Sequence, residues 1–237
     1  MKAWHERPRS VSIVVDTPGW FDLFAQRLCA AATGLGDRAT VLRDSAEVPD
    51  GGIAFYLSCM KLTPPAVLAR SVLNVVVHAS ALPLGRGFSP VVWQVLAGCN
   101  EIPITMIEAV EEADAGKILM RDSIVLEGHE LNGEMRDRLG EKIVSMCTVL
   151  LKNAEPPQAI EQEGETSWYR RRKPEDSRLD VDRSLADLFD LLRVVDNDSY
   201  PAFFDHRGHR YVLRIEKQGP ILEPDAEKAV APPRSCG

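Results

Sequence analysis

The stretch NVVVHASALPLGRGFSP, residues 74–90, decides the fold of this chain. Its first part, Asn74–His78, is a β-branched run typical of a buried strand, and the loop that follows it ends at Ser89-Pro90. A serine followed by a proline is typical of a helix start. A strand, a loop and a helix in this order predict one unit of an α/β sheet, with His78 at the carboxyl end of the strand.

Strands and helices alternate on both sides of this stretch. The apolar runs predict further strands, which are Val11–Val15, Ala39–Arg43, Gly52–Ser58, Ile102–Ala109 and Lys117–Leu126. Helical apolar spacing and helix-start signals predict helices at Phe21–Ala32, from Pro64-Pro65, from Ser89-Pro90 to Gly98, and at Leu131–Lys152. This alternation predicts an α/β fold with a mostly parallel, Rossmann-like sheet flanked by helices.

The composition changes after Asn153, where polar residues and Pro156-Pro157 replace the alternating pattern. The smaller unit that follows contains a predicted amphipathic helix, Ser184–Val194, and a predicted hairpin of Ala202–Asp205 with Tyr211–Ile215. It therefore reads as a small C-terminal α+β appendage. The predicted organisation is a catalytic domain over 1–153, a linker over 154–167, a small subdomain over 168–217 and a peripheral tail over 218–237.

Composition excludes several classes of partner and site. The chain has 237 residues, 45% of them hydrophobic, and a net charge of −7, which disfavours nucleic acid because phosphate binding needs a dense basic surface. No apolar run approaches the roughly 20 residues of a membrane helix, and the N-terminus lacks an apolar leader. The five cysteines lack C-x-x-C spacing, so neither a disulfide scaffold nor a metal site is expected. A cytoplasmic protein without a membrane partner is the expectation.

Nucleotide-binding motifs of the commonest kinds are missing. The sequence contains neither G-x-G-x-x-G nor G-x-x-x-x-G-K-[ST], and the loop after the first strand, Asp16–Gly19, is poor in glycine. These absences argue against a Rossmann dehydrogenase and against a P-loop enzyme.

The chemistry-bearing residues lie in two loops. A lone histidine is more often structural than catalytic, but His78 precedes Gly85-Arg86-Gly87, whose backbone can approach a ligand closely. Asp114 then follows in the segment DAGKI at 114–118, a carboxylate and a glycine turn between two predicted strands. Such a turn alone is more often a surface feature, so only the combination is informative.

Together these residues resemble the formyltransferase family that uses 10-formyltetrahydrofolate. In that family a histidine at a strand end precedes S-x-L-P-x-x-R-G and then D-x-G-x-I. Here the matching residues are His78, SALP at 80–83, Arg86-Gly87 and DAGKI at 114–118, in the same order and with similar spacing. The resemblance covers about residues 50–153 and implies an enzyme with 10-formyltetrahydrofolate as its co-substrate.

A second resemblance narrows the branch. The segment WYRRRKPEDS at 168–177 resembles the R-x-P-E-D-S segment of sugar-nucleotide N-formyltransferases, and so does 192–204. Methionyl-tRNA members carry a larger β-barrel domain, for which the residues after the linker are too few. The pattern is most similar to formyltransferases of pseudaminic-acid pathways, which implies polysaccharide biosynthesis and a UDP-linked 4-amino-4,6-dideoxy sugar as substrate. The resemblance also implies a homodimer, for which the candidate contact is the helix face with Leu185, Leu188, Phe189 and Leu192.

The family's roles are carried over residue by residue. His78 is expected to act as general acid/base and Asp114 to orient or charge-stabilise its ring. In the family, an asparagine usually stands two residues before the histidine, where this chain has Val76. Asn74 stands four residues before His78, a distance of about 13 Å along a strand, and it is the candidate for the role of that asparagine. Folate is expected to contact Met106, Ile107, Glu108, Val110, Arg86 and Gly87. The nucleotide-linked sugar is expected to contact Trp20, Ser58, Lys61, Ser80, Arg171 and Arg172.

Two alternatives stay open at this point. The acceptor could be an aminoacyl group, or the chain could be a catalytically silent module that binds nucleotide-sugar or folate. The intact pair of His78 and Asp114 argues against a silent module, which would have no use for both. The remaining histidines are expected to be surface residues, namely His5, His129, His206 and His209.

Overall fold

The computed structural model describes residues 6–221 and contains a six-stranded sheet. The strands in chain order are β1 (Ser10–Val14), β2 (Arg38–Leu42), β3 (Ile53–Tyr56), β4 (Leu73–His78), β5 (Arg86–Gly87), β6 (Glu101–Glu108), β7 (Ile118–Val125), β8 (Trp168–Tyr169), β9 (Ala202–His206) and β10 (His209–Leu213). The main sheet has the order β2-β1-β3-β4-β6-β7. Strands β5 and β8 pair separately, as do β9 and β10.

The main sheet is mostly parallel, as predicted. Strands β2, β1, β3 and β4 run parallel to one another, whereas β6 is antiparallel to both β4 and β7. Strands β6 and β7 are joined directly by a loop without a crossover helix, which accounts for their antiparallel pairing. The carboxyl ends of β1, β3 and β4 therefore meet at one edge, where ligands of open α/β sheets bind.

The helices are α1 (Asp22–Gly34), α2 (Pro65–Leu68), α3 (Pro90–Leu96), α4 (Asn132–Lys152) and α5 (Phe189–Val194). Helix α4 buries Met135, Ile143, Cys147 and Leu150 at helical spacing, so one apolar stripe joins the main core. The same core holds Phe21, Phe24 and Leu28 near α1 and the buried strand residues Ile13, Phe55, Val75 and Ile104. The elements predicted from the pattern in the first 153 residues are confirmed, with boundaries shifted by a few residues.

The C-terminal unit differs from its prediction in its helix. Helix α5 begins at Phe189 instead of Ser184, and the residues before it form turns. Leu188 and Leu192 are buried in a small core with Leu179, Val195 and Ala202. The predicted dimer face is therefore partly wrong, because two of its four residues pack within the chain. Only Leu185 and Phe189 of that face are exposed.

The predicted hairpin is confirmed as β9 and β10, which pair from His206 and His209 outwards. Its two-residue turn, Arg207-Gly208, has φ values of 50° and 80°. Positive φ at both central residues is typical of the type I′ turn that matches the strand twist.

Some predictions lie outside the described residues. His5 and most of the predicted tail, from 222 to 237, belong to the parts that the structure does not describe. Within residues 6–221, no helix combines the length and the apolar character that crossing a membrane requires.

Candidate active site

The centre of the site is the pair of His78 and Asp114. His78 is the last residue of β4, and its Nδ1 lies 3.4 Å from Asp114 Oδ1. Its Nε2 lies 2.8 Å from the carbonyl oxygen of Gly85. A carbonyl oxygen can only accept, so this contact assigns a proton to Nε2. Nδ1 is then the basic nitrogen of the neutral ring, and it faces the carboxylate.

The loop between β6 and β7 folds back to deliver Asp114. Ala109 at its start donates its N–H to the carbonyl of Asn74, and Asp114 Oδ2 accepts the N–H of Gly87 at 2.8 Å. Asp114 has a φ of 54°, a left-handed conformation that a non-glycine residue adopts only when its surroundings enforce it. A Cβ at Gly116 would lie 1.8 Å from the carbonyl oxygen of Glu108, so only glycine allows this close fold.

The segment predicted as a linker is part of the site. Its residues 160–169, which we call the strap, run across the loops that carry His78 and Asp114. Ile160 exchanges two backbone hydrogen bonds with Ile118. Ser167 accepts the N–H of Gly85 on its hydroxyl at 2.8 Å and the N–H of Arg86 on its carbonyl at 2.9 Å. Polar contacts thus fix residues 160–167 of the predicted linker against the site, although these residues have no apolar pattern.

The end of the strap explains a glycine of the family motif. Strand β8 pairs in parallel with β5, so that Trp168 lies opposite Arg86 and Tyr169 opposite Gly87. Gly87 has a φ of 100°, and a Cβ there would lie 2.5 Å from the carbonyl oxygen of Tyr169. The glycine thus permits the approach that aims its N–H at Asp114.

The residues predicted to contact folate divide into two groups. Met106 and Ile107 are buried in β6, with their backbones paired to the strands on both sides, so they do not face the site. This part of the prediction needs correction, because the strand continues through these positions. Glu108 is half-buried and Val110 is exposed at the start of the loop. Arg86 and Gly87 lie directly beside that loop.

Arg86 is buried and bridges the two loops. Its guanidinium donates to Glu112 Oε1 at 3.0 Å and to Gln162 Oε1 at 2.9 Å, and it lies over the ring of Trp168. Its Nε is buried and lacks a hydrogen-bond partner among the described residues. A ligand with an acceptor group would satisfy this donor.

The first three residues predicted to contact the sugar nucleotide occupy the edge of the sheet. Ser58 and Lys61 are exposed after β3, and Asp16 at the end of β1 accepts the backbone N–H groups of Met60 and Lys61 at 2.9 Å. Trp20 is half-buried and packs edge-on against Phe21, so it contributes to the core as well as to the surface.

Two of the four cations in the run at 170–173 make polar contacts within the fold through their side chains. Arg172 is buried and donates to the carbonyl of Val194 and to the hydroxyl of Ser177, while its Nε, like that of Arg86, has no partner among the described residues; these internal contacts disfavour its predicted role as a sugar contact. Arg170 pairs with Asp176, and this hydrogen bond lowers the pKa of Asp176 to about 2. Arg171 stacks over Phe88 and lacks a carboxylate partner within residues 6–221. Arg171 and Lys173 are the exposed members of the run that have no ion pair within residues 6–221.

Two further predicted residues are occupied by internal contacts. Asn74 donates to the carbonyl of Leu68 and accepts from the hydroxyl of Tyr56, so its side chain cannot assist at His78. Ser80 is buried and donates its hydroxyl to the carbonyl of Leu84. Both assignments are corrected for the same reason: the side chain is buried or bonded within the fold. Val76 packs on the apolar cluster of Leu82, Ile107 and Ile118 and offers no donor.

A cluster of possible metal ligands lies elsewhere, which the sequence did not predict. Side chains of Glu127, His129 and Glu130 come within 4.8 Å of one another. Glu130 is buried and pairs with Arg138 and Arg193. Cations already neutralise this group, and we assign no metal to it. His129, His206 and His209 are exposed, as expected.

Comparison with a protein-family model supports the motif resemblance. Residues 45–148 match the model of the formyl transferase family. This range includes His78, the loop at 80–87 and Asp114. The predicted resemblance to formyltransferases and the prediction of an enzyme of this class are confirmed. The co-substrate of the family is 10-formyltetrahydrofolate, as predicted.

Solved structures share the fold at low identity. A methionyl-tRNA formyltransferase from Clostridium thermocellum is 24% identical with a TM-score of 0.71, covering 85% of this chain and 90% of that one. A sugar N-formyltransferase from a Shewanella species is 16% identical with a TM-score of 0.59, covering 90% and 99%. HypX from Aquifex aeolicus, in complex with tetrahydrofolic acid, is 18% identical with a TM-score of 0.71, covering 88% of this chain and 38% of that one.

Proposed function

From the premise that residues 45–148 are a formyl transferase domain, we propose that this chain is a sugar N-formyltransferase. It moves the formyl group of 10-formyltetrahydrofolate to the amine of a nucleotide-linked 4-amino-4,6-dideoxy sugar. The observation that carries the proposal is the buried contact of His78 Nδ1 with Asp114 at the mouth of the sheet. A histidine next to a carboxylate can accept the proton that an attacking amine must lose.

In the proposed reaction, the His78–Asp114 pair accepts one proton from the amine and later releases it. The neutral amine attacks the formyl carbon, its lone pair forms the new C–N bond, and the carbonyl oxygen becomes an oxyanion. The amine proton passes to the His78–Asp114 pair, in which Nδ1 and the carboxylate are two acceptors that one proton satisfies. When the oxyanion collapses, the bond to N10 of the folate breaks and the pair returns its proton to that nitrogen. The products are the formamide and tetrahydrofolate.

The folate side is assigned to the loop after β6. The revised contacts are Glu108, Val110, Arg86 and Gly87, without the buried Met106 and Ile107. The position of Arg86 supports this assignment, because its guanidinium donates to Glu112 in the loop after β6. The sugar-nucleotide side is assigned to Trp20, Ser58, Lys61 and Arg171. Lys61 and Arg171 are exposed cations without ion-pair partners in the described part of the chain, which suits a pyrophosphate.

The choice of sugar over aminoacyl-tRNA rests on the second half of the chain. The segments 168–177 and 192–204 resemble those of sugar-nucleotide N-formyltransferases, and the net charge of −7 disfavours a polynucleotide. The fold relatives include both a sugar N-formyltransferase and a methionyl-tRNA formyltransferase, so the fold alone does not select the acceptor. We propose residues 1–153 with the strap as the catalytic unit and a role in polysaccharide biosynthesis in the cytoplasm.

The test is a mass-spectrometric screen of formyl transfer. Purified protein is incubated with 10-formyltetrahydrofolate and UDP-, GDP- or dTDP-linked 4-amino-4,6-dideoxy sugars, with methionyl-tRNA in a parallel reaction. The proposal expects one sugar nucleotide to gain a formyl group. Formylation of methionyl-tRNA alone would establish the aminoacyl alternative. Saturable binding without any transfer would establish the silent module.

We also propose a homodimer, in which the exposed Leu185 and Phe189 are the remaining candidate contacts. Light scattering at micromolar concentration tests this proposal. A strictly monomeric mass would contradict it.

A further inference from the structure

The strap carries a side chain with an unusual set of contacts. Gln162 is half-buried, and its Nε2 donates to two backbone carbonyls of the catalytic loop, those of Asp114 and Gly116, each at 2.8 Å. Its Oε1 accepts from Arg86 at 2.9 Å. The orientation of the amide is fixed by its partners, because two carbonyls require donors and a guanidinium requires an acceptor. One carboxamide thus uses both of its ends on the two loops of the site.

These contacts constrain the backbone of Asp114. Asp114 holds a φ of 54°, a conformation that costs a non-glycine residue on the order of 1–3 kcal/mol unless the surroundings enforce it. Gln162 fixes the backbone of Asp114, while Gly87 fixes its carboxylate. Gly87 is itself held by the next residues of the same strap. The position of the carboxylate relative to His78 therefore depends on the strap from two directions.

We propose that Gln162 is a positioning residue for proton transfer, which places the carboxylate of Asp114 against Nδ1 of His78. It acts through Asp114 and does not touch the reacting atoms. The inference rests on the proposed function. It deepens that function by naming a residue that supports the chemical step without contributing to substrate binding. A misplacement of about 1 Å costs up to about 100-fold in rate, so loss of Gln162 should lower kcat.

Two substitutions separate the contacts of Gln162. Gln162→Leu removes both ends of the amide. Gln162→Glu keeps an acceptor for Arg86 but presents oxygen to the carbonyls of Asp114 and Gly116. Glu163→Gln is the matched control, since Glu163 is an exposed neighbour on the strap. If the contact to Arg86 were the important one, Gln162→Glu would keep its activity.

The kinetic experiment compares kcat and KM for folate and sugar in the three variants. The proposal expects kcat to fall about 10- to 100-fold in both Gln162 variants, with each KM within about threefold of the wild type. The control should match the wild type. A kcat within about threefold of the wild type in Gln162→Leu, or rescue by Gln162→Glu, would overturn the proposal.

A second measurement does not depend on turnover. Long-range proton–nitrogen NMR spectra of 15N-histidine-labelled protein report the protonation pattern of the His78 ring, with the other four histidines as internal references. The His78 signals should change in Gln162→Leu and stay in place in Glu163→Gln. Unchanged signals would overturn the positioning role. If the wild type transfers formyl to no acceptor, the proposed function fails while this spectrum still decides the role of Gln162.

Discussion

The buried arginines Arg86 and Arg193 differ in how completely their guanidinium groups are hydrogen-bonded. Arg86 lies 8% exposed in the candidate site, with a partner, Glu112, that is itself exposed and with an Nε that has no partner among the described residues. Arg193 lies 1% exposed where the C-terminal unit meets the catalytic domain. The comparison contrasts a buried charge whose three nitrogens are all paired with one whose Nε is not.

The surroundings of Arg193 are complete. Its Nε donates to the carbonyl of Glu130, and one terminal nitrogen donates to Asn100 Oδ1 and to Asp190 Oδ1 at 2.9 Å. The other terminal nitrogen lies 3.5 Å from a carboxylate oxygen of Glu130. Buried charges are tolerated when each of their polar atoms is paired, and this arrangement holds the two units together. The site around Arg86 lacks that completeness.

The largest expected effect on stability follows from this difference. Arg193→Met removes the buried donors to the Glu130 carbonyl and to Asn100 and leaves Arg138 as the arginine on the buried carboxylate of Glu130, and breaking a buried charged network in this way costs about 3–5 kcal/mol. The free energy of unfolding from urea titration measures this cost. Arg214→Met is the control, because Arg214 is an exposed residue 3.4 Å from Asp198 and such pairs contribute about 1 kcal/mol or less. Equal losses in the two variants would contradict the distinction.

Asp37 and its two arginine partners form a second buried network, and its contribution to stability can be measured as a function of pH. Asp37 is buried and accepts from Arg7 and Arg9, each at 2.7 Å. Burial raises the pKa of its carboxyl, but the hydrogen bonds and charge of Arg9 outweigh this effect, and the net shift is downward from 3.8. A carboxyl with a lowered folded-state pKa stabilises the fold above its unfolded value and loses that contribution as pH falls through the folded value.

The change Asp37→Asn should therefore cost about 3 kcal/mol at neutral pH. Urea titrations at several pH values measure the gap between the variant and the wild type. The gap should narrow as pH falls below 3.8, where the wild-type carboxylate takes up its proton. A gap that stays constant down to the acid transition would mean that the charge of Asp37 does not carry the stabilisation.

At Arg86 we expect a substitution to change the KM for the folate and to have little effect on stability. Arg86→Lys keeps a charge but loses the planar guanidinium that reaches Glu112, Gln162 and an incoming acceptor together. We expect KM for the folate to rise about tenfold, which is about 1.4 kcal/mol, with little change in the free energy of unfolding. Steady-state kinetics and urea titration of the same sample measure both. A stability loss as large as that of Arg193→Met would place Arg86 among the structural residues.

The sequence was informative where chemistry or periodicity leaves a local pattern. Helix α4 and the strands of the main sheet follow from apolar spacing, and the proximity of His78 to Asp114 follows from the family motif. The strap left no such pattern: it is polar, and its contacts join residues more than 40 positions apart, as in Gln162 with Asp114.

The same limit explains the wrong assignments of single residues. In the sequence, a run of cations resembles a ligand-binding surface. In the structure, Arg172 points inward, because the carbonyl of Val194 and the hydroxyl of Ser177 accept hydrogen bonds from its guanidinium. Asn74 was a candidate by residue type, and its partners Tyr56 and Leu68 come from neighbouring elements that the sequence does not place. Tertiary partners decide whether a polar side chain is structural or available.

The central claim is that His78 and Asp114 act as one proton-transfer unit. A double-mutant cycle on kcat tests it most directly, with His78→Asn, Asp114→Asn and the double variant assayed on the accepted sugar nucleotide. Each single change should cost at least about 100-fold with the fold retained, because the pair accepts one proton together. The double variant should be within about threefold of the weaker single variant, since residues that act as a unit are not additive. Losses that multiply in the double variant would contradict the account.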